Sequence, residues 1–272
     1  MRLRSLLCIT VLLQYVCSTL DAQVILEKNQ DPELQKIDVI EHLGDTVPMN
    51  LQFKDEHGTI VQLSDYFEKG KPIVLTMAYY RCPMLCTMVL NAKAEAVKQL
   101  AWLPGREFQM LTVSIDPNET PVLASNKKDT YLKFLDKPGI QDGWHFLVGD
   151  SSQSKALADA LGFKYFYDEN RKEYAHPAVV FVITEKGIVS RYLYGIRFAE
   201  RDMRLALMEA SEGKIGSTID RIIMYCFHYD PNAKGYVVMA TNVMKLGGLV
   251  TLVVLGVFLT VMWRRDKTRS IQ

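Results

Sequence analysis

Hydrophobic and polar positions divide the 272-residue chain into a patterned middle and two unlike ends. Positions 23–47 are polar and weakly patterned, which reads as a lead-in segment. From residue 48 the pattern sharpens. MNLQFKDEHGTIVQLSDYF alternates around DEHG, whose turn residues predict a β-hairpin. PIVLTMAYY (72–80) is a compact apolar run that predicts a buried strand, and 83–100 carries a helical pattern. FQMLTVSID (108–116) predicts a second buried strand, 122–135 a helix, WHFLVG (144–149) a third strand and SSQSKALADALG a further helix. HPAVVFVITEKGIVSRYLYG (176–195) predicts a closing hairpin with Glu185, Lys186 and Gly187 at its turn. Strands alternating with helices and followed by a hairpin predict an α/β domain with a mixed sheet over 48–214.

The ends follow other rules. Residues 1–22 place Arg2 and Arg4 before a short apolar run that closes on small residues, the layout of a secretory signal peptide. LGGLVTLVVLGVFLTVMW (246–263) has 18 residues and no charge, near the lower limit for one transmembrane helix. Arg264, Arg265, Lys267 and Arg269 follow it, marking 264–272 as a cytoplasmic tail. Residues 215–245 become a juxtamembrane segment. Both ends predict a single-pass protein with its domain exported.

Charge adds an exclusion. With 32 Lys and Arg against 31 Asp and Glu, the chain has no electrostatic footprint for nucleic acid. Export changes how its five cysteines count. Cys8 and Cys17 belong to the signal segment, leaving Cys82, Cys86 and Cys226, too few for a disulfide framework. They are more suited to chemistry.

Cys82 and Cys86 stand four apart in RCPMLC, where the first buried strand passes into a helix. Pro83 suits the first helical position, which makes Cys82 the N-cap and places Cys86 one turn in on the same face. The positive end of the helix dipole then favours both thiolates. The pair fits a redox couple or two soft metal ligands, and spacing alone leaves both open. Thiolates with an imidazole suit Cu(I), Cu(II) or Zn(II). Among the histidines, His57 lies in the DEHG turn, His42 in the lead-in, and His145 opens a strand, where capping or core packing is the plainer role. His176 stands just before a buried strand, 90 residues after Cys86. Asp116 in VSIDP reads as a turn-forming Asp-Pro, with a supporting role at the same sheet edge as the alternative.

PIVLTMAYYRCPMLC, VSIDPNETP and the histidine before a strand and hairpin resemble the Sco/SenC family of thioredoxin-like copper-binding proteins. The resemblance covers about residues 49–195. It implies a thioredoxin-like fold and a copper chaperone or thiol-disulfide partner in the assembly of the copper centre of cytochrome c oxidase. Carried over by position, Cys82, Cys86 and His176 become the copper ligands. The implied partners are the copper-binding oxidase subunit and other copper carriers, at the outer face of a bacterial inner membrane. Two departures stand out. Ala175 occupies the place where many members have an Asp before the histidine, and the membrane helix is C-terminal rather than N-terminal.

A second set of residues, Cys226, His228 and Asp230, lies shortly before the span. Cys226 and His228 share a face in a strand-like conformation and form a weak second metal candidate. The rival function is a thiol:disulfide oxidoreductase with Cys82 as nucleophile and Cys86 as resolving thiol. A peroxidase of peroxiredoxin type fits poorly, since Tyr79 stands where Thr is typical.

Overall fold

The computed structural model describes residues 37–67, 70–82, 84–212, 224–225, 227–230 and 235–269. The signal segment, Pro83 and Cys226 therefore lie outside the described residues.

The hairpin expected around DEHG is formed by β1 (Gln52–Lys54) and β2 (Ile60–Gln62). β3 (Ile73–Ala78) follows and leads into α1 (Leu85–Gln99). Then come β4 (Gln109–Ser114), α2 (Pro121–Leu135), β5 (Trp144–Leu147) and α3 (Ser151–Ala160). Two three-residue strands, β6 (Phe166–Asp168) and β7 (Glu173–Ala175), pair as a small hairpin that the pattern did not predict. β8 (Val179–Ile183) and β9 (Val189–Tyr194) form the closing hairpin, and α4 (Glu200–Ala210) packs beside them. β10 (Phe227–Asp230) and β11 (Gly235–Val238) make a last hairpin before α5 (Ala240–Arg269).

Five strands join in the order β5-β4-β3-β8-β9. β3, β4 and β5 run parallel, whereas β8 and β9 are added antiparallel, giving the mixed sheet expected. Every residue of β3, β4 and β8 is buried, as strands covered on both faces must be. Alternation divides their side chains between two layers. Val74, Met110, Phe146 and Val180 face a core built with α1, α2 and α4. Leu75, Leu111, Phe181 and Tyr192 face the other, under α3 and the first hairpin. Local signals set the helix starts: the Thr120 hydroxyl accepts the Leu123 N–H ahead of α2, with Pro121 at its first position. The Asp150 carboxylate accepts the Gln153 N–H ahead of α3.

The described part of the lead-in is seated on this domain. The Ile40 N–H donates to the Gly162 carbonyl at 2.9 Å, and Val47 N–H to that of Gly187 at 2.9 Å. Gly162 has φ +61°, and a Cβ there would lie 1.8 Å from the Ile40 oxygen, so the close pass requires glycine. His42 is absorbed by the same packing, its Nδ1 lying 3.1 Å from the Ala160 oxygen.

A buried charge cluster ties the first hairpin to the sheet. Glu56 accepts from Lys128 Nζ, lies 3.2 Å from His145 Nδ1 and accepts the Phe146 N–H at 3.1 Å. His145 is thus structural. Burial opposes the Glu56 charge, but hydrogen bonds from His145 and Lys128 outweigh it and bring its pKa to about 2. That value lies below the ordinary 4.5, so the charge stabilises the fold above about pH 4.5 and the contribution fades as pH falls toward 2. Glu56→Ala strands the Lys128 ammonium and is expected to cost about 3–5 kcal/mol in urea unfolding. A loss below ~1 kcal/mol would contradict this account of the cluster.

Candidate metal centre

The chain leaves β3 at Ala78 and turns through Tyr79–Cys82 into α1, so the cysteines stand at the carboxyl end of a central strand. α1 opens at Leu85 with Met84 as its N-cap, two residues later than expected. Cys82 is therefore not the N-cap residue. Its sulfur still performs part of the capping, because Sγ accepts the Cys86 N–H at 3.2 Å. Cys86 Sγ in turn accepts the Tyr79 N–H at 3.4 Å. His176 arrives directly after β7, and its Nε2 lies 2.8 Å from Cys86 Sγ. The ligand atoms of Cys82, Cys86 and His176 all fall within 4.8 Å of one another, and all three residues are buried. Among the described residues this is the one such group of three.

The imidazole is held from both sides. Its Nδ1 lies 3.0 Å from the Pro177 carbonyl oxygen, which can only accept, so Nδ1 carries the proton and Nε2 is the free ligand atom. A backbone carbonyl thus orients the ring. The rings of Tyr79 and Phe163 pack on the imidazole at 6.2 and 6.0 Å between centroids.

The two thiols are unequal, against the expectation that both would ionise easily. The Cys86 thiol donates to Cys82. Partial burial opposes the Cys82 charge, but the N–H groups of Cys86 and Met84 add to the thiol's effect and hold its pKa down to about 3. Burial, followed by the neighbouring Cys82 thiolate, pushes Cys86 far up. The metal-free site therefore holds one thiolate and one thiol at neutral pH. In reduced, metal-free protein, Cys82 alkylation is expected to stay flat from pH 5 to 8, where an ordinary thiolate fraction rises roughly a thousandfold. A tenfold rise per pH unit would contradict the assignment.

Glu119 is the residue that sequence reasoning missed. Its carboxylate accepts the N–H groups of Tyr80 and Arg81, each at 2.8 Å, and the Ser114 hydroxyl at 2.6 Å. It fixes the turn that presents Cys82. Burial raises its pKa above the usual value. The available signal was an acidic residue three places after Asp116 at the same strand end. Asp116 itself accepts the Asn118 N–H at 2.9 Å, the turn role read for it. A cleft of about 830 Å³ opens beside the cysteine turn, lined by Tyr79, Arg81, Asp116, Tyr167 and Tyr174 among others.

The second candidate set is not assembled among the described residues. His228 lies exposed on β10, while Cys226 is outside them.

The SCO1/SenC family matches residues 43–207. The chain belongs to that family. Among solved structures, a protein of Aquifex aeolicus VF5 assigned provisionally to electron transfer is 27% identical. It matches over 62% of this chain and 94% of its own, with a TM-score of 0.54. Arabidopsis thaliana ScoI with copper bound is 16% identical over 63% of this chain and 97% of its own, with a TM-score of 0.45. BsSco, described as a Sco-family cytochrome c oxidase assembly protein with a disulfide switch, is 18% identical over 64% and 98%, with a TM-score of 0.48. No curated protein matches the chain. Within the SCO1/SenC family this chain keeps a thioredoxin-like sheet and presents its cysteine pair and histidine at one edge of it.

Proposed function

We propose that this SCO1/SenC protein holds copper through Cys82, Cys86 and His176 and delivers it during assembly of the cytochrome c oxidase copper centre. The observation that carries the reading is the convergence of two sulfurs and one imidazole nitrogen within 4.8 Å. Two soft thiolates favour Cu(I), and the imidazole suits Cu(II) as well. The ligand set fits the metal without rearranging the fold: Cys82 is already ionised, and Nε2 carries the free lone pair. Copper here is cargo, exchanged with the oxidase subunit and other copper carriers by replacing one ligand at a time.

The placement is part of the proposal. α5 contains a candidate span, Ala240–Trp263, of 24 residues, whose most apolar 18-residue window has mean hydropathy 2.3 and no burial against the domain. At 1.5 Å per residue it is roughly 36 Å long, enough to cross a bilayer. It begins six residues before the stretch read from sequence, 240 against 246. With the basic residues after 263 and the signal-like opening at 1–22, it supports an inner-membrane protein whose copper domain lies on the periplasmic side.

The inequality of the thiols makes a specific prediction. At pH 7 only Cys86 has a proton to lose, so Cu(I) uptake is expected at one ion per chain with release of about one proton. Titration of the reduced full-length chain in detergent, with a pH indicator and metal analysis, tests it. Release of two protons, or no uptake, overturns the assignment.

The same inequality favours a second reading as a dithiol reductant. The Cys82 thiolate attacks one sulfur of a partner disulfide and expels the other as thiolate. Cys86 then loses its proton to solvent as it attacks the Cys82 sulfur. The two partner sulfurs leave as thiolates that take up protons from solvent, and Cys82–Cys86 becomes a disulfide. Peptide-disulfide reduction that survives His176→Ala, with no copper uptake by the parent chain, selects this reading.

A further inference from the structure

We infer that the metal-bearing edge of the domain lies against the bilayer surface, with Met84 and Ile196 in contact with phospholipid. The inference rests on the membrane-anchor reading and adds the orientation.

The path of the chain supplies it. β9 runs parallel to β3, so its end at Tyr194 lies on the same sheet edge as Ala78 and the cysteine turn. α4 starts at that edge and returns along β9, since Arg191 near the start of β9 pairs with Glu209 near the end of α4. The last hairpin follows α4 in a fixed sense. Tyr236 donates to Glu209 at 2.7 Å, far from the site, and Tyr229 donates to the Tyr192 carbonyl at 3.0 Å. Phe227, paired with Val238 at the open end, lies under Arg201 in the first turn of α4, 4.9 Å from ring to guanidinium. β11 therefore runs toward the site-bearing edge, and α5 leaves the domain there. Its root is tied down, because Asn242 Nδ2 donates to the Tyr225 carbonyl at 2.8 Å. The span itself has no burial against the domain, so it departs from this edge instead of folding back.

The surface agrees. Met84 is 68% exposed, Met88 39% and Ile196 40%, and all three stand at or next to this edge. Val122, 70% exposed in the first turn of α2, extends the series. Large apolar side chains left in water along the edge from which a membrane span departs suit the headgroup boundary. Exposed Arg81 and Arg197 beside them suit lipid phosphates. β3 lies two strands from β9, so the cysteine turn sits roughly 10 Å across the sheet from the end of β9, against which the last hairpin is bonded. The partner that exchanges copper must then present its site close to the membrane surface.

The test places the photocrosslinker p-benzoyl-phenylalanine in the full-length chain. The probe positions are Met84 and Ile196, and the controls are Lys186 and Arg106 at the opposite end of the sheet. Proteoliposomes contain radiolabelled phosphatidylglycerol and phosphatidylcholine, and flotation is scored first. We expect the protein to float and lipid adducts at 84 and 196 to exceed those at 186 and 106 by at least about tenfold. Floating protein with equal yields at all four positions overturns the orientation and leaves the anchor standing. Adducts to a second copy of the chain assign the patch to self-association and overturn the lipid contact. Protein that does not float overturns the anchor and the orientation with it.

Discussion

Cys86→Ser is expected to lower Cu(I) affinity at least ~100-fold in competition with a Cu(I) chelator, more than ~2.7 kcal/mol. The exchange keeps size and shape at a residue that is 1% exposed, so the fold is retained. The hydroxyl still accepts the Tyr79 N–H, and only the soft donor is lost. Cys82→Ser should have a comparable effect for a different reason. It removes the sulfur that is ionised before metal arrives, while the hydroxyl can still accept the Cys86 N–H. The two variants are therefore expected to differ in proton release. Cys86→Ser takes away the titrating thiol, so the proton that accompanies copper in the parent is lost. An affinity within about threefold of the parent in both variants would remove the sulfur pair from the site.

Glu119→Ala carries the second large effect, on stability and metal together. It leaves the Tyr80 and Arg81 N–H groups and the Ser114 hydroxyl without their buried acceptor. Each orphaned donor costs about 1–3 kcal/mol, so a total of roughly 3–9 kcal/mol is expected. That is a large share of the ~5–15 kcal/mol by which a domain is stable, and it should lower the melting temperature by on the order of 10 °C. Because the same bonds shape the turn before Cys82, Cu(I) affinity should fall by a further ~10–100-fold in protein that is still folded. Glu119→Gln keeps one oxygen acceptor and should recover part of both losses. Unchanged copper affinity in folded Glu119→Ala would reduce the residue to a structural role.

How much of this was legible can be said residue by residue. β3, β4 and β8 were readable because a strand covered on both faces must be an unbroken apolar run. The cysteine pair was readable from its place at a strand-to-helix junction, and His176 from the resemblance together with its position before a buried strand. The start of α1 was not. Met84 has φ −136° and ψ −82°, a departure that a rule about Pro83 does not foresee. The inequality of the thiols was hidden for a similar reason. A helix terminus favours both thiolates alike, whereas burial and the direction of the thiol hydrogen bond separate them. β6 and β7 are too short for alternation to register. Glu119 needed the fold, since its partners lie 38 and 39 residues away.

The central claim concerns which atoms surround the metal. X-ray absorption at the copper edge of the Cu(I)-loaded chain addresses it directly, read for the parent and for His176→Ala. Two sulfur ligands and one nitrogen are expected in the parent, with the nitrogen contribution lost in the variant. A parent spectrum fitted by sulfur alone, or one unchanged by His176→Ala, would contradict the three-ligand site.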